Sequence, residues 1–292
     1  MNGTRKFIGA MVTLWFAGAP ASWAQPRASD AIVSAPPAAY GAADAAKHLE
    51  DFRHLMQIGD FCVKFDLIHR PKPPAAETRY TGIGWSSWNA QGPVWRFRLT
   101  GPLGSEATVK PAIWEWLVQN GPSPQIWVLA PGAAVAREVP TAEWRQPLFT
   151  GTVYTPFDLL MPFLFWKDFD YNGSSRIEGS AVDTYTMKPP AAESAGGPVR
   201  IAIDRELGYL ATAEQLDAKG AVVRKFDMRN FAKVQQRWML KACELLNVAA
   251  RDYDRFEVTG AAMNLQIDAE VFSPAHLGTP AAEPPVKVWA NL

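Results

Sequence analysis

With only two cysteines and four histidines in 292 residues, the sequence can neither staple a multi-disulfide scaffold nor supply a cysteine-rich zinc site. It has no net charge, 29 basic side chains balancing 29 acidic ones, so it lacks the electrostatic footprint of a nucleic-acid binder. It has no internal repeat. Beyond one apolar run near the start, no stretch reaches the roughly 20 residues of a spanning helix without proline or charge. What remains is 48% hydrophobic and 20% charged residues, a globular composition, with 12 tryptophans to be placed.

The N-terminus has the order of an export signal. Arg5 and Lys6 precede the apolar run from Phe7 to Ala19, and Ser22-Trp23-Ala24 offers small residues at the cleavage position. Residues 1–24 are therefore expected to be a signal peptide cut before Gln25, which leaves a periplasmic chain with no transmembrane span. No cysteine stands near the cut, so a lipidated N-terminus is not expected. Residues 25–41, rich in Ala, Pro and Ser, have too few large apolar groups to offset ordering entropy and read as a linker.

From Ala42 the pattern changes. Ala45, Leu49, Phe52, Leu55 and Met56 recur at helical spacing up to Gly59. Short alternating runs follow. Phe61, Val63, Phe65 and Leu67 interleave with Cys62, Lys64 and Asp66; Trp95, Phe97 and Leu99 with Arg96 and Arg98; and Val199, Ile201 and Ile203 with Arg200. Period two predicts strands with one dry face. The turn signals at 89–93, 120–122, 204–208 and 217–220 are too short for a crossover helix and predict antiparallel hairpins. About ten strands and two helices are expected, forming one domain over residues 42–272 built on a large antiparallel sheet. Residues 273–292, with four prolines and a late VKVW run, read as a tail along the surface.

One segment departs from this pattern. Thr155 stands as a helix N-cap, Pro156 occupies the first helical position, and Asp158 sits where a carboxylate favours the positive end. The helix is expected to run to about Trp166 with a kink at Pro162. Its residues FDLLMPFLFW are apolar on every side, so it needs apolar surroundings all round. Two readings fit: a plug that forms core, or a lid over an apolar cavity that could hold a lipid chain.

The stretch from Tyr154 to Pro190, with the Thr155–Asp158 start, the aromatic helix to Trp166 and Ile177-Glu178-Gly179, resembles the bacterial outer membrane lipoprotein-sorting proteins. That family is related to the LolA and LolB carriers. The meander built on Asp204, Gly208, Asp217 and Gly220 extends the resemblance, which runs more loosely from Phe61 to Leu265. These features mark a fold and no catalytic motif. The resemblance implies a mainly β protein: a curved antiparallel sheet, an unclosed barrel, wrapped around a few helices with a cavity for acyl chains. On it, Phe157, Leu160, Phe163 and Leu164 of the helix, with Trp114, Trp116 and Trp127 of the strands, are the candidate cavity-lining residues. Lipoprotein acyl chains or lipid would be the partners, with other envelope proteins possible. An alternative is an envelope sensor or peptidoglycan-binding module that uses exposed aromatics.

Motifs for chemistry are weak. Asp168, Asp170, Asn172 and Gly173 match the first half of a calcium loop, but Gly179 stands where the bidentate Glu belongs. His48 and His54 are six apart on one helix, on different faces, and the default for such a histidine is solvent. Gly82-Ile83-Gly84 lacks the third glycine of a dinucleotide loop, and Gly84-Trp85-Ser86-Ser87-Trp88 has the wrong spacing for a nucleophile elbow. Asp66 and Glu115 could meet across a sheet, at a separation the sequence does not fix. No cofactor or metal is implied and a non-enzymatic protein is expected. Whether Cys62 pairs with Cys243 stays open at this level.

Overall fold

The computed structural model describes residues 37–55, 59–103, 111–235 and 237–292. The expected signal peptide, most of the linker and Met56 lie outside the described residues. Helix α1, Ala42–Leu55, places Ala45, Leu49 and Phe52 in the core, as their spacing requires. Among the described residues fourteen strands follow: β1 (Asp60–Arg70), β2 (Thr78–Asn89), β3 (Gly92–Leu103), β4 (Ala112–Gln119), β5 (Gln125–Leu129), β6 (Arg137–Glu138), β7 (Phe169–Ile177), β8 (Ser180–Met187), β9 (Val199–Asp204), β10 (Leu210–Leu216), β11 (Val222–Val234), β12 (Arg237–Asn247), β13 (Asp252–Leu265) and β14 (Ala290–Asn291). The two-residue strands β6 and β14 are too short to show a period, which is why fewer strands were legible from sequence.

All fourteen belong to one sheet that does not close. Its order is β6-β5-β4-β3-β2-β1-β13-β12-β11-β10-β9-β8-β7, two antiparallel meanders joined where β1 meets β13, with β14 beside β13. Local hairpins account for the meanders. At the β10–β11 turn, Asp217 Oδ1 accepts from the amides of Lys219 and Ala221, and Gly220 takes φ 80°. The β1–β13 junction is non-local and rests on burial: Val63, Phe65 and Leu67 meet Ala261, Val258 and Phe256 on one core face.

That face is lined by aromatic rings that need flat ground. The Phe65 ring lies over Gly82 and the Trp95 indole over Gly84, where an added Cβ would come within 2.2 Å and 2.4 Å of ring atoms. The Gly82-Ile83-Gly84 run is therefore a strand that makes room for rings, with no phosphate loop.

The expected 155–166 helix is shorter than its sequence suggested. Helix α2 covers only Pro156–Leu160; Met161 turns left-handed at φ 38°, and a separate 3₁₀ turn runs over Pro162–Phe165. Pro162 offers no amide to the ladder and crowds the preceding turn, so the chain breaks where a kink was expected. The N-terminal prediction holds. Thr155 Oγ1 accepts from the Asp158 amide while the Asp158 carboxylate accepts from the Thr155 amide.

The outer face is not simply solvated. Arg96, read from its alternation as a surface residue, is 2% exposed. The tail covers it: Arg96 donates to the carbonyls of Thr279 (2.5 Å) and Val271 (3.3 Å) and to Glu115 (2.7 Å), while the Gly278 amide donates to the same carboxylate. The Trp85 indole donates to the Ala282 carbonyl, and β14 takes the edge of β13 at Gly260 and Ala261, beyond the last β12 pair at Glu257. Cys62 and Cys243 are free thiols, the first on this outer face and the second in the main core. Burial raises both to about 12, so they stay protonated.

Candidate functional site

The connection between β6 and β7 joins the two free edges of the sheet, so it must cross from one to the other. It crosses on the core face. Phe157, Leu159, Leu160, Met161, Phe163, Leu164 and Trp166 are all buried there. The sheet wraps around this crossover: the Asn120 side chain after β4 donates to the Leu159 carbonyl, while Phe157 and Phe163 face Val199 of β9, Ala213 of β10, Phe226 of β11 and Leu245 of β12. Burial on every side explains an all-round apolar segment.

Polar groups fix the start of the crossover. Asp254, fully buried on β13, accepts from Thr152 Oγ1 (2.5 Å) and from the amides of Val153 (2.7 Å) and Tyr154 (2.9 Å), and its other oxygen meets His69 Nδ1 at 2.7 Å. That hydrogen bond raises the His69 pKa against the opposing effect of burial. Asp158 accepts from Arg224 Nη2 at 2.5 Å, tying α2 to β11. The end of the crossover is held from α1, where Arg53 Nε donates to the Leu164 carbonyl (2.6 Å) and Nη2 to the Trp166 carbonyl (2.8 Å). Helix α1 is in turn fixed to β8. His48 Nδ1 lies 3.1 Å from the Tyr185 hydroxyl and 3.3 Å from buried Asp183, so this histidine is half-buried and not the solvated one expected.

Between crossover and sheet lies a cavity of about 20 Å³, lined by Phe157, Met161, Phe163, Val199, Ala213, Phe226 and Leu245 with Asp158, Gln215 and Arg224. That volume has room for about one water and not for an acyl chain. A larger groove of about 390 Å³ opens on the outer face, but Lys64, Asp66, Arg98, Glu283 and three threonines line it, a polar surface unlike an acyl site.

The residues singled out from sequence are distributed as follows. Phe157, Leu160, Phe163 and Leu164 lie within the crossover, and Phe157 and Phe163 line the cavity itself. Trp116 belongs to the same core, and Trp114 stacks on Phe149 at 4.7 Å on its margin. Trp127 points the other way and packs with Val94, Leu117 and Leu277 under the tail, because its strand position is one residue out of phase with the inward set. Arg53 on α1, Arg145 in the β6–β7 connection and Arg224 on β11 were missed, because a lone arginine in any of these settings reads as a solvated residue. Strand β7 runs through the half calcium loop, where Asp170 pairs with Lys188 and Asn172 accepts from Thr186. No group of three metal-ligating side chains occurs among the described residues. Asp66 on β1 pairs with Arg79 of β2, and Glu115 on β4 with Arg96 and Arg98 of β3; β1 and β4 themselves are not neighbours in the sheet.

A protein-family model described as an uncharacterized protein matches residues 116–279, more than half of the chain. No curated protein matches it by sequence. Among solved structures, an outer membrane lipoprotein-sorting protein domain from Vibrio parahaemolyticus aligns with TM-score 0.65 and 12% identity over 79% of this chain and 95% of that one. A DUF1329 family protein from Desulfovibrio piger gives 0.63 and 10%, again over 79% and 95%. A LolA superfamily protein from Nitrosomonas europaea gives 0.57 and 13%, over 80% and 98%. At these identities the likeness establishes the fold, a LolA-like unclosed sheet.

Proposed function

Because the chain belongs to the family of uncharacterized proteins whose model matches residues 116–279, and folds as outer membrane lipoprotein-sorting domains do, we propose that it is a periplasmic, non-enzymatic carrier that shelters acyl chains of lipids or lipoproteins beneath its crossover. The observation that carries this reading is the crossover itself: an apolar segment seated in the concavity of an open sheet and split by a left-handed Met161 into two short pieces. Among the described residues, no helix is long and apolar enough to cross a membrane.

Magnitudes favour movement of the second piece alone. Exposing Phe163, Leu164 and Trp166 forfeits about 1.5 to 3 kcal/mol each, so spontaneous opening is rare and an incoming chain must replace the apolar contacts as they are lost. The first piece carries in addition the capping box and the Arg224 pair, and is the fixed wall. Met161 is then the hinge. The alternative of a glycan face of exposed aromatics finds less support, since no tryptophan among the described residues is exposed.

The test is uptake of a fluorescent fatty-acid analogue by the exported protein, with native mass spectrometry for lipid that co-purifies. Saturable uptake, displaced by unlabelled acyl chains and weakened by Phe163→Gln, is the expected result. Wild-type protein that takes up no probe and carries no lipid would reduce the crossover to a structural plug.

A further inference from the structure

The two halves of the tail are held very differently. Leu277 is buried with Val94 and Leu117, and the Thr279 carbonyl accepts from Arg96, but from Gly278 to Leu292 no residue is buried and Val286 is 91% exposed. Residues 284–289 are closed on themselves instead: the Trp289 indole donates to the Pro284 carbonyl at 3.0 Å, and the amides of Val288 and Trp289 donate to the carbonyls of Pro285 and Val286. Among the described residues, the links from this piece to the sheet are few. The Trp85 indole donates to the Ala282 carbonyl, and Lys64 Nζ lies 3.1 Å from Glu283 and 4.7 Å from the centroid of the Trp289 ring. Strand β14 adds its pairs with Gly260 and Ala261, and the Leu292 amide donates to the Thr259 carbonyl. Lys64 and Glu283 are both about half-exposed, so their ion pair contributes little.

Two features lie beneath this strap. Cys62 faces outward from β1, between Trp85 of β2 and Ala262 of β13, yet it is 0% exposed, and Glu283 and Lys64 both act on its thiol. A side chain on the outer face of a sheet is shut off from water by what is laid over that face, and here that is the strap. The second feature is a seam. Strand β12 pairs with β13 up to Ala242 and Glu257 and then leaves it; the two approach again where Asn264 Nδ2 donates to Gln235 Oε1 at 2.8 Å. Between these points Met239 and Leu240 on one strand, and Val258, Ala261 and Met263 on the other, belong to the main core. The segment beside β13 there is β14, with Ala290 and Leu292 packed against that core.

We propose that residues 280–292 are a gate: they lift as one piece from the anchor at Leu277–Thr279 and open the seam between β12 and β13, a way into the core that leaves the pairs among the other strands in place. Opening breaks the two β14 pairs and a handful of exposed contacts, far less than the loss of any long strand, so it occurs without global unfolding. For its use the gate rests on the carrier reading, to which it adds the place where an acyl chain enters.

The experiment times the reaction of the two free thiols with DTNB in the exported protein. Cys243 lies in the main core and reacts when the fold opens, whereas Cys62 reacts when the strap alone lifts. In wild type Cys62 is expected to react about a hundredfold faster than Cys243, at a rate that low urea hardly changes. Ala290→Pro has no amide to offer the β13 ladder; it should speed Cys62 about tenfold, leave Cys243 unchanged, and speed uptake of a fluorescent fatty-acid analogue by a similar factor. Lys64→Met should act in the same direction more weakly, and carries the comparison if Ala290→Pro fails to fold. Cys62 and Cys243 reacting together in wild type, at the pace of global unfolding, would overturn the strap. Faster Cys62 labelling in Ala290→Pro with unchanged probe uptake would overturn the gate and leave the carrier standing. A probe that never binds would bring down the carrier and the gate's use with it, while the Cys62 rate would still decide whether the strap lifts.

Discussion

Replacing Arg53 with Met keeps an aliphatic stem on α1 and deletes its two hydrogen bonds to the crossover, Nε to the Leu164 carbonyl at 2.6 Å and Nη2 to the Trp166 carbonyl at 2.8 Å, along with an exposed contact from Nη1 to Glu50 within α1 that does not touch the crossover. Its side chain is 18% exposed, so water partly replaces the lost donors, and each bond contributes about 1 kcal/mol and not the upper figure for a charged donor. The sum, about 2 kcal/mol, multiplies the population in which Pro162–Phe165 has swung out by roughly thirtyfold. Hydrogen exchange reads this directly. The amides of Leu164 and Trp166, bonded to Met161 and Phe163 within the segment, should exchange about thirtyfold faster, and acyl-probe uptake should speed up. Strands β9 to β12 should keep their protection. Acceleration spread evenly over those strands would mean that Arg53 supports the whole domain, and no acceleration at either amide would refute the latch.

Gly220→Val should destabilise the protein by about 1 kcal/mol or more, because a β-branched residue does not adopt φ 80°; no neighbour lies within 4 Å, so an unchanged Tm would show that the turn tolerates rearrangement. Arg96→Met should cost about 3 kcal/mol in urea unfolding, since it leaves Glu115 buried with Arg98 and the Gly278 amide alone; a loss below 1 kcal/mol would show that the tail does not seal this pair. Stability should fall on both sides of neutrality. Burial alone would raise the Glu115 carboxyl, but the Gly278 amide, Arg96 and Arg98 hold it below 4.5, so its contribution is present above 4.5 and lost as pH falls through the lower folded value. His69 is raised by its bond to Asp254, so its contribution is present below 6.5 and lost as pH climbs through the raised value. Glu115→Gln should flatten the acid limb of a urea-midpoint series and His69→Asn the alkaline one; unchanged limbs would remove these two groups from the account.

The candidate site was legible where its chemistry is local. The N-cap and proline of α2 act within one turn, and all-round apolarity required a buried position whatever lay opposite. The break at Met161 was half visible, as a proline whose consequence depends on how tightly both pieces are gripped. Arg145, Arg53 and Arg224 were invisible because an arginine's burial depends on which distant segment is laid over it. The same holds for Trp127, whose neighbours Leu117 and Leu277 come from another strand and from the tail.

The sequence by itself determined the alternating strands, the Asp217–Gly220 and Asp204–Gly208 turns between them, and the apolar character of the crossover, because side-chain period, turn geometry and desolvation are properties of a few adjacent residues. Only the tertiary structure decided that β1 pairs with β13 to make one open sheet of two meanders, that the crossover fills its concavity, and that the tail seals Arg96 and Glu115 on the other side. Period two says which residues share a face. It does not say what will cover that face, since that depends on contacts between segments nearly two hundred residues apart, such as Trp85 and Ala282.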